Sequence, residues 1–448
     1  MKTLIFTFSL CFAFSLAAQS FHPQEVIVKF RKEAGFAVSG QSLGIPELDE
    51  LGKAHQLSSV KPVGNRREGR SYLLRFSRQP DIPALVAAYA KTGHFEYAEP
   101  NYIGHSGGQA GPAGLLPDDA FFNRQYALIN DGSFPLSTAV ADADIDMDEA
   151  WEITQGSSEV IVAILDSGFK LNHPEVEDRW WFNPGETNDN ADNDGNGYTD
   201  DLLGWDFAYD DNSPMDDYGH GTNVGGILGA TGNNGIGYAG VDWNCQLMIL
   251  KILDANDSGF YTWWADAIYY AVDHGARVLN MSVGGAGFSN LLKEAVDYAH
   301  ANGATVVACM MNTNNSLPYY PAAFANTIAV GATNPDDSRA VPFFWSNTSG
   351  SNFGGHIDLV APGNYMYGLQ YNSDTNYNGY WGGTSQATPL VAGVASLLLA
   401  QDPSLQPEDI RAILRQTADD QVGPSNEDAP GFDIYFGHGR LNAFAALQ

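Results

Sequence analysis

Five short runs constrain the fold of this chain more than any other feature: residues 160–165, 247–253, 278–281, 305–309 and 328–330. They are apolar or β-branched and lack the in–out alternation of a sheet with one wet face. Runs of this kind suit strands buried on both sides, as in a parallel sheet covered by helices. Between them, 263–274 and 290–301 have helical spacing. Strands and helices in alternation predict an α/β domain of three layers, a mostly parallel sheet with helices on both faces, over residues 117–448. Near its end, 407–417 reads as a capped amphipathic helix.

A smaller α+β unit is expected over 19–105. Residues 25–30 alternate with period two, as a half-buried strand does, and 71–76 and 95–102 read as further strands. Residues 83–91 read as a helix, with Pro83 in its first turn and Gly93 past its end. The Gly- and Pro-rich stretch 106–116 marks a linker. Charge divides the chain in the same way: 19–105 hold 11 Lys and Arg against 9 Asp and Glu, and 106–448 hold 10 against 44. An acidic body repels phosphates, so nucleic acid is excluded as a partner, while cation sites are favoured. Lys2, the apolar run 4–16 and Ala17-Ala18 form a signal-peptide pattern over 1–18, which predicts export. No later apolar stretch is long enough to span a bilayer, so no membrane anchor is expected. Cys11 falls in the leader, and Cys245 and Cys309 read as buried packing thiols.

Three segments carry polar residues where a strand end or helix start would place them. They are Val162-Ala-Ile-Leu-Asp166-Ser-Gly168, Gly219-His220-Gly-Thr222 and Gly382-Gly-Thr-Ser385. A serine hydroxyl is a weak nucleophile that needs an imidazole to take its proton and a buried carboxylate to orient that imidazole. Any one segment has an ordinary reading: a turn Asp, a structural His, a helix-start Ser. Together, in the order Asp, His, Ser, they specify a catalytic triad of the subtilisin chain order.

The chain thus resembles the subtilases, the subtilisin-like serine peptidases, over nearly its whole length. Asp166-Ser-Gly, His220-Gly-Thr and Gly383-Thr-Ser385 are similar to the family's three signatures, and Tyr320-Pro-Ala322 and Ala361-Pro-Gly363 are further landmarks. Asn280-Met-Ser-Val-Gly-Gly285 is similar to the segment whose backbone pairs with substrate as an added strand. The resemblance therefore implies substrate contacts at Ser282, Val283, Gly284 and Gly285. It also implies an oxyanion donor at Asn312, which follows the run 306–311. Residues 19–105, ending in Glu99-Pro-Asn-Tyr102, resemble the family's inhibitory propeptide. Three departures stand out. Met311 occupies the position of the family's usual glycine, which lines the pocket for the side chain preceding the scissile bond; this implies either a small residue there or a pocket that opens only on rearrangement. Asn223 stands where the family often has His, and Gln386 where it usually has Met. Phe260, Tyr261 and Trp263 are either pocket aromatics or ordinary packing residues.

Between Asp166 and His220, residues 188–201 alternate oxygen-bearing side chains around Gly195. Asn190, Asp192, Asp194, Asn196 and Asp201 fall at positions one, three, five, seven and twelve of a calcium loop, which predicts a structural Ca²⁺. Gly197 and the Asp at twelve depart from a true EF-hand. The combined expectation is a secreted serine endopeptidase acting on polypeptides, made as a zymogen with its own propeptide as intramolecular inhibitor. The alternative is a catalytically silent protein that uses the same fold for binding; Met311 is its only support.

Overall fold

The computed structural model describes residues 21–63, 70–102 and 115–448, which fall into two compact units. The leader at 1–18 and most of the linker at 106–116 lie outside the described residues.

The first unit contains β1 (Phe21–Phe30), α1 (Pro46–Ala54), β2 (Leu57–Pro62), β3 (Ser71–Phe76), α2 (Ile82–Lys91) and β4 (Phe95–Tyr102). The strands form one antiparallel sheet in the order β2-β3-β1-β4. The alternation read in 25–30 is the reason the sheet has a single dry face: Val26, Val28 and Phe30 are fully buried and meet Leu74, Phe76 and the α2 residues Ile82, Leu85 and Tyr89. Asp81 starts α2 by accepting the Ala84 N–H on its side chain.

The second unit contains α3 (Met147–Ile153), β5 (Ile161–Asp166), β6 (Gly204–Asp206), α4 (His220–Gly229), β7 (Gln246–Lys251), α5 (Tyr261–Asp273), β8 (Val278–Met281), α6 (Asn290–Ala301), β9 (Thr305–Cys309), β10 (Thr327–Thr333) and β11 (Leu359–Pro362). There follow β12 (Met366–Tyr367), β13 (Tyr380–Trp381), α7 (Thr384–Gln401), α8 (Pro407–Gln416) and α9 (Ala443–Leu447). Seven strands form a sheet in the order β11-β10-β9-β8-β5-β7-β6, and every pairing in it is parallel. Successive side chains of β5 go to opposite cores. Val162 and Ile164 join the cluster that contains α4 and α7, and Ala163 and Leu165 join the one that contains α5 and α6. That division makes the three layers. The central strands have no polar alternation because neither face meets water. No described helix is long and apolar enough to cross a membrane.

The fold positions its site at the carboxyl ends of the strands, where ligands of open α/β sheets bind. Asp166 ends β5, residues 282–285 follow β8, and residues 310–312 follow β9.

Candidate active site

Asp166 is wholly buried. Its Oδ1 accepts the Ser167 N–H at 2.7 Å and lies 2.7 Å from His220 Nδ1. An Nδ1 facing a carboxylate oxygen is the donor, which leaves Nε2 as the basic end of the ring. Burial opposes protonation of His220, but the Asp166 carboxylate, with Asp257 and Asp216 adding to it, outweighs burial and holds the ring's pKa above the ordinary histidine value.

His220 opens α4, and the turn before it is fixed by a residue that sequence reasoning did not single out. Asp216, buried, accepts Ser167 Oγ, Tyr218 N and Gly219 N on one oxygen and Thr222 N and Oγ1 on the other. It thereby fastens the residue after Asp166 to the residues flanking His220. Gly219 has φ +113°, and a β-carbon there would lie 2.6 Å from the Tyr371 ring, so the turn requires glycine. Lys251, fully buried at the end of β7 in register with Asp166, donates to the carbonyls of Ser167 and Leu253 and to Asp217. A lysine inside the apolar run 247–253 was the available sequence signal, because a buried ammonium must find such partners.

Ser385 is the second residue of α7. The first N–H groups of a helix have no intrahelical acceptor. The Thr384 N–H goes to Asn312 Oδ1 at 2.8 Å and the Gln386 N–H to the Gly383 carbonyl, and the Ser385 N–H finds no protein acceptor among the described residues. Pro389 cannot donate to the Ser385 carbonyl one turn back. Ser282 Oγ does so instead, at 2.8 Å, while Ser385 Oγ donates to the Ser282 carbonyl at 3.1 Å. Among the described residues Ser385 Oγ is thus bonded to that carbonyl and not to the imidazole; such bonds are often long without substrate.

Asn312 Oδ1 also accepts Thr384 Oγ1 at 3.0 Å. With its oxygen held by two donors, the amide's NH₂ is the end left to meet a ligand. His220, Ser385, Asn312 and Met311 line one cavity of about 710 Å³ together with Ser282, Val283, Gly284 and Gly285. Along that wall, Gly285 already exchanges both backbone hydrogen bonds with Tyr320, at 2.9 and 2.8 Å. Gly285 is therefore paired on that side, while all four residues 282–285 line the cavity. Tyr261 and Trp264 line the cavity, whereas Phe260 and Trp263 pack on each other with ring centroids 4.7 Å apart. Trp381 covers His220 edge-on, with centroids 5.7 Å apart.

The departures Asn223 and Gln386 meet. Gln386 Nε2 donates to Asn223 Oδ1 at 3.2 Å, both residues being buried. The bond joins α4, which carries His220, to α7, which carries Ser385.

In the acidic loop the structure brings two of the residues suggested by spacing, Asp192 and Asp194, together with Glu186. Carboxylate oxygens of Glu186, Asp192 and Asp194 lie within 4.8 Å of one another. Asn190 is turned to Asp200 through its backbone N–H. Asn196 Nδ2 donates to Asp201, and Asp201, buried, also accepts Asn183 Nδ2 and Tyr270 OH. Asp201 is thus an internal acceptor, and so is Glu186, which takes the N–H groups of Asn193 and Asp194 on one oxygen and of Asp200 on the other. Glu186 went unread because it lies before the alternating stretch and reaches the others by the return of the chain.

The sequence matches the Subtilase family over residues 157–439. It is 32% identical over 424 residues to a thermophilic serine proteinase of Bacillus sp. strain AK1, covering 94% of this chain and 87% of that one. It is 36% identical over 300 residues to thermitase of Thermoactinomyces vulgaris, covering 67% and 92%. A solved structure of a protease from Pseudoalteromonas arctica superposes with a TM-score of 0.57 at 24% identity, over 74% of this chain and 99% of that one, and so shares the fold. The chain belongs to the subtilase family. It is a subtilisin-like serine endopeptidase, and nothing in these likenesses favours the silent alternative.

Proposed function

We propose that this endopeptidase hydrolyses peptide bonds through an acyl-enzyme formed on Ser385. His220 takes the Ser385 proton as Oγ attacks the carbonyl and later gives it to the leaving amine. Asp166 holds the ring's tautomer and stabilises the imidazolium. Asn312 Nδ2 and the Ser385 N–H receive the oxyanion. The observation that carries this reading is the convergence of His220, Ser385 and Asn312 on one cavity, with Asp166 buried behind His220 at 2.7 Å.

The protein is exported as a zymogen in this proposal. Residues 19–105 act as the intramolecular inhibitor, and a cut within about 102–117, estimated from where the Gly/Pro-rich stretch begins and ends, releases the enzyme. The support is a separate unit with its own core joined by that stretch, and the leader pattern at the start. Expression of the full chain with Ser385 and with Ser385→Ala tests it. Self-cleavage and peptide hydrolysis are expected only with Ser385; equal processing of both chains defeats the proposal.

A structural Ca²⁺ is part of the same reading. Glu186, Asp192 and Asp194 would hold it through hard carboxylate oxygens, and among the described residues none of the three pairs with Lys or Arg. The ion would neutralise their repulsion and fix the loop. Chelation is expected to lower the melting temperature and hasten autolysis, and Glu186→Gln to reduce the response; a chelator without either effect removes the ion from the account.

A further inference from the structure

Met311 has φ +74°, a conformation uncommon for a residue with a side chain. Its backbone is fixed there from behind. Its carbonyl accepts the Asn352 N–H at 2.9 Å, and the next carbonyl, of Asn312, accepts the Gly350 N–H at 3.1 Å. Strained backbone held by its surroundings is characteristic of functional sites. The side chain turns into the cleft. A β-carbon built on Gly284 would fall 2.8 Å from Met311 Sδ and 2.9 Å from Cγ, so the thioether lies directly against that glycine. On its other side Sδ is 3.6 Å from Cys309 Sγ, which is 3.9 Å from Ser385 Oγ. The thioether therefore spans the gap between residues 282–284 and the end of β9, immediately before the oxyanion donor.

A substrate carbonyl placed between Ser385 Oγ and Asn312 Nδ2, with its chain along 282–284, must direct its own side chain into that gap. We propose that Met311 fills the pocket for the residue on the acyl side of the scissile bond, so that the enzyme cleaves after Gly, Ala or Ser and rejects aromatic and long aliphatic residues. The inference rests on Ser385 and Asn312 acting as nucleophile and oxyanion donor. Volume discrimination in an apolar pocket is typically about 10–200-fold per methylene-sized difference, so a phenyl ring is strongly disfavoured.

The test uses the self-processed full chain and a peptide series that differs only in the acyl-side residue. Ala is expected to exceed Phe by at least about tenfold in kcat/KM. Met311→Gly, which suits the positive φ and so retains the fold, is expected to raise the Phe-to-Ala ratio of kcat/KM by at least about tenfold. Met311→Ala, with a shorter side chain at the same φ, is expected to fall between them. Fastest wild-type cleavage after Phe or Leu, or a Met311→Gly enzyme with the wild-type Ala-to-Phe ratio, overturns the proposal while leaving the triad intact. Hydrolysis of every peptide that persists in Ser385→Ala, or no Ser385-dependent hydrolysis at all, overturns the catalytic assignment and the pocket with it.

Discussion

Asp216 accepts five hydrogen bonds on the His220 side of the cleft, whereas Met311, across the cleft, is kept at an unfavourable φ with its sulfur against a glycine and a thiol. The first side ties Asp166, Ser167 and the 216–222 turn together, and Lys251 adds three further bonds beneath it. Loss of any member disturbs several others. The second side depends on one flexible side chain for its shape, and replacing that side chain leaves the neighbouring donors in place. In the proposed reaction the base side sets whether a bond is cut, and Met311 sets which bond.

The largest effect expected is on the base side. Asp166→Asn should lower kcat by about 10⁴-fold, because the imidazole loses its tautomer and its counter-charge, with folding intact by circular dichroism. In the unmodified enzyme the acid limb of kcat/KM should lie above the ordinary histidine value, since His220 must be neutral to act as base and its pKa is raised. Opposite, Asn312→Ala should lower kcat by about 10²–10³-fold with little change in KM, the usual result of removing one oxyanion donor. An Asn312→Ala loss equal to that of Asp166→Asn would erase the contrast between the two sides.

A smaller effect tests the link across the cleft floor. Gln386→Ala and Asn223→Ala should each lower kcat/KM a few-fold, and the double variant should be no worse than the more damaging single one. The expected coupling energy is about 1 kcal/mol, that of one buried hydrogen bond. Additive losses would show that the bond does not join the two helices functionally.

The smallest effect lies away from both sides. Burial, reinforced by Asp144, Asp419 and Asp142, raises the Asp146 carboxyl to about 7. Its unfolded value is about 3.9. The native state therefore holds the extra proton between those values, and stability falls as pH rises through that window, levelling off above the folded pKa. In a Ser385→Ala background that prevents autolysis, Asp146→Asn should raise the melting temperature by about 1–2 °C at pH 8 and leave it unchanged at pH 4. Asparagine tolerates the φ of +56° at this position.

The parts legible in the sequence are those where one physical demand fixes several neighbouring residues. β8, β9 and α6 have the bounds read from the sequence, because full burial on two faces or an amphipathic stripe leaves few choices. α1 and β2 went unread. The helix fully buries only Leu48 and Gly52, and the strand Leu-Ser-Ser-Val-Lys-Pro carries too many polar residues to show a period. Of the candidate site, Asp166, His220 and Ser385 were legible in their local flanks, and Asn312 only through the family resemblance. Asp216 and Glu186 were not, since an acceptor of scattered backbone N–H groups has no local pattern. Asn223 and Gln386 were each visible as departures, but they lie 163 residues apart and only the packing of α4 on α7 makes them a pair.

α7 is buried without interruption from Thr384 through Leu399, and Ser385 sits in its first turn. Past its first turn, the hydrogen-bonded amides of a segment so enclosed are expected to exchange with free energies near that of global opening. Displacement of Ser385 through α7 would then require global unfolding, so thermal inactivation should follow the unfolding rate, and the amides past the first turn of this helix should share one exchange free energy. The working lifetime of the enzyme becomes a direct reading of its unfolding barrier.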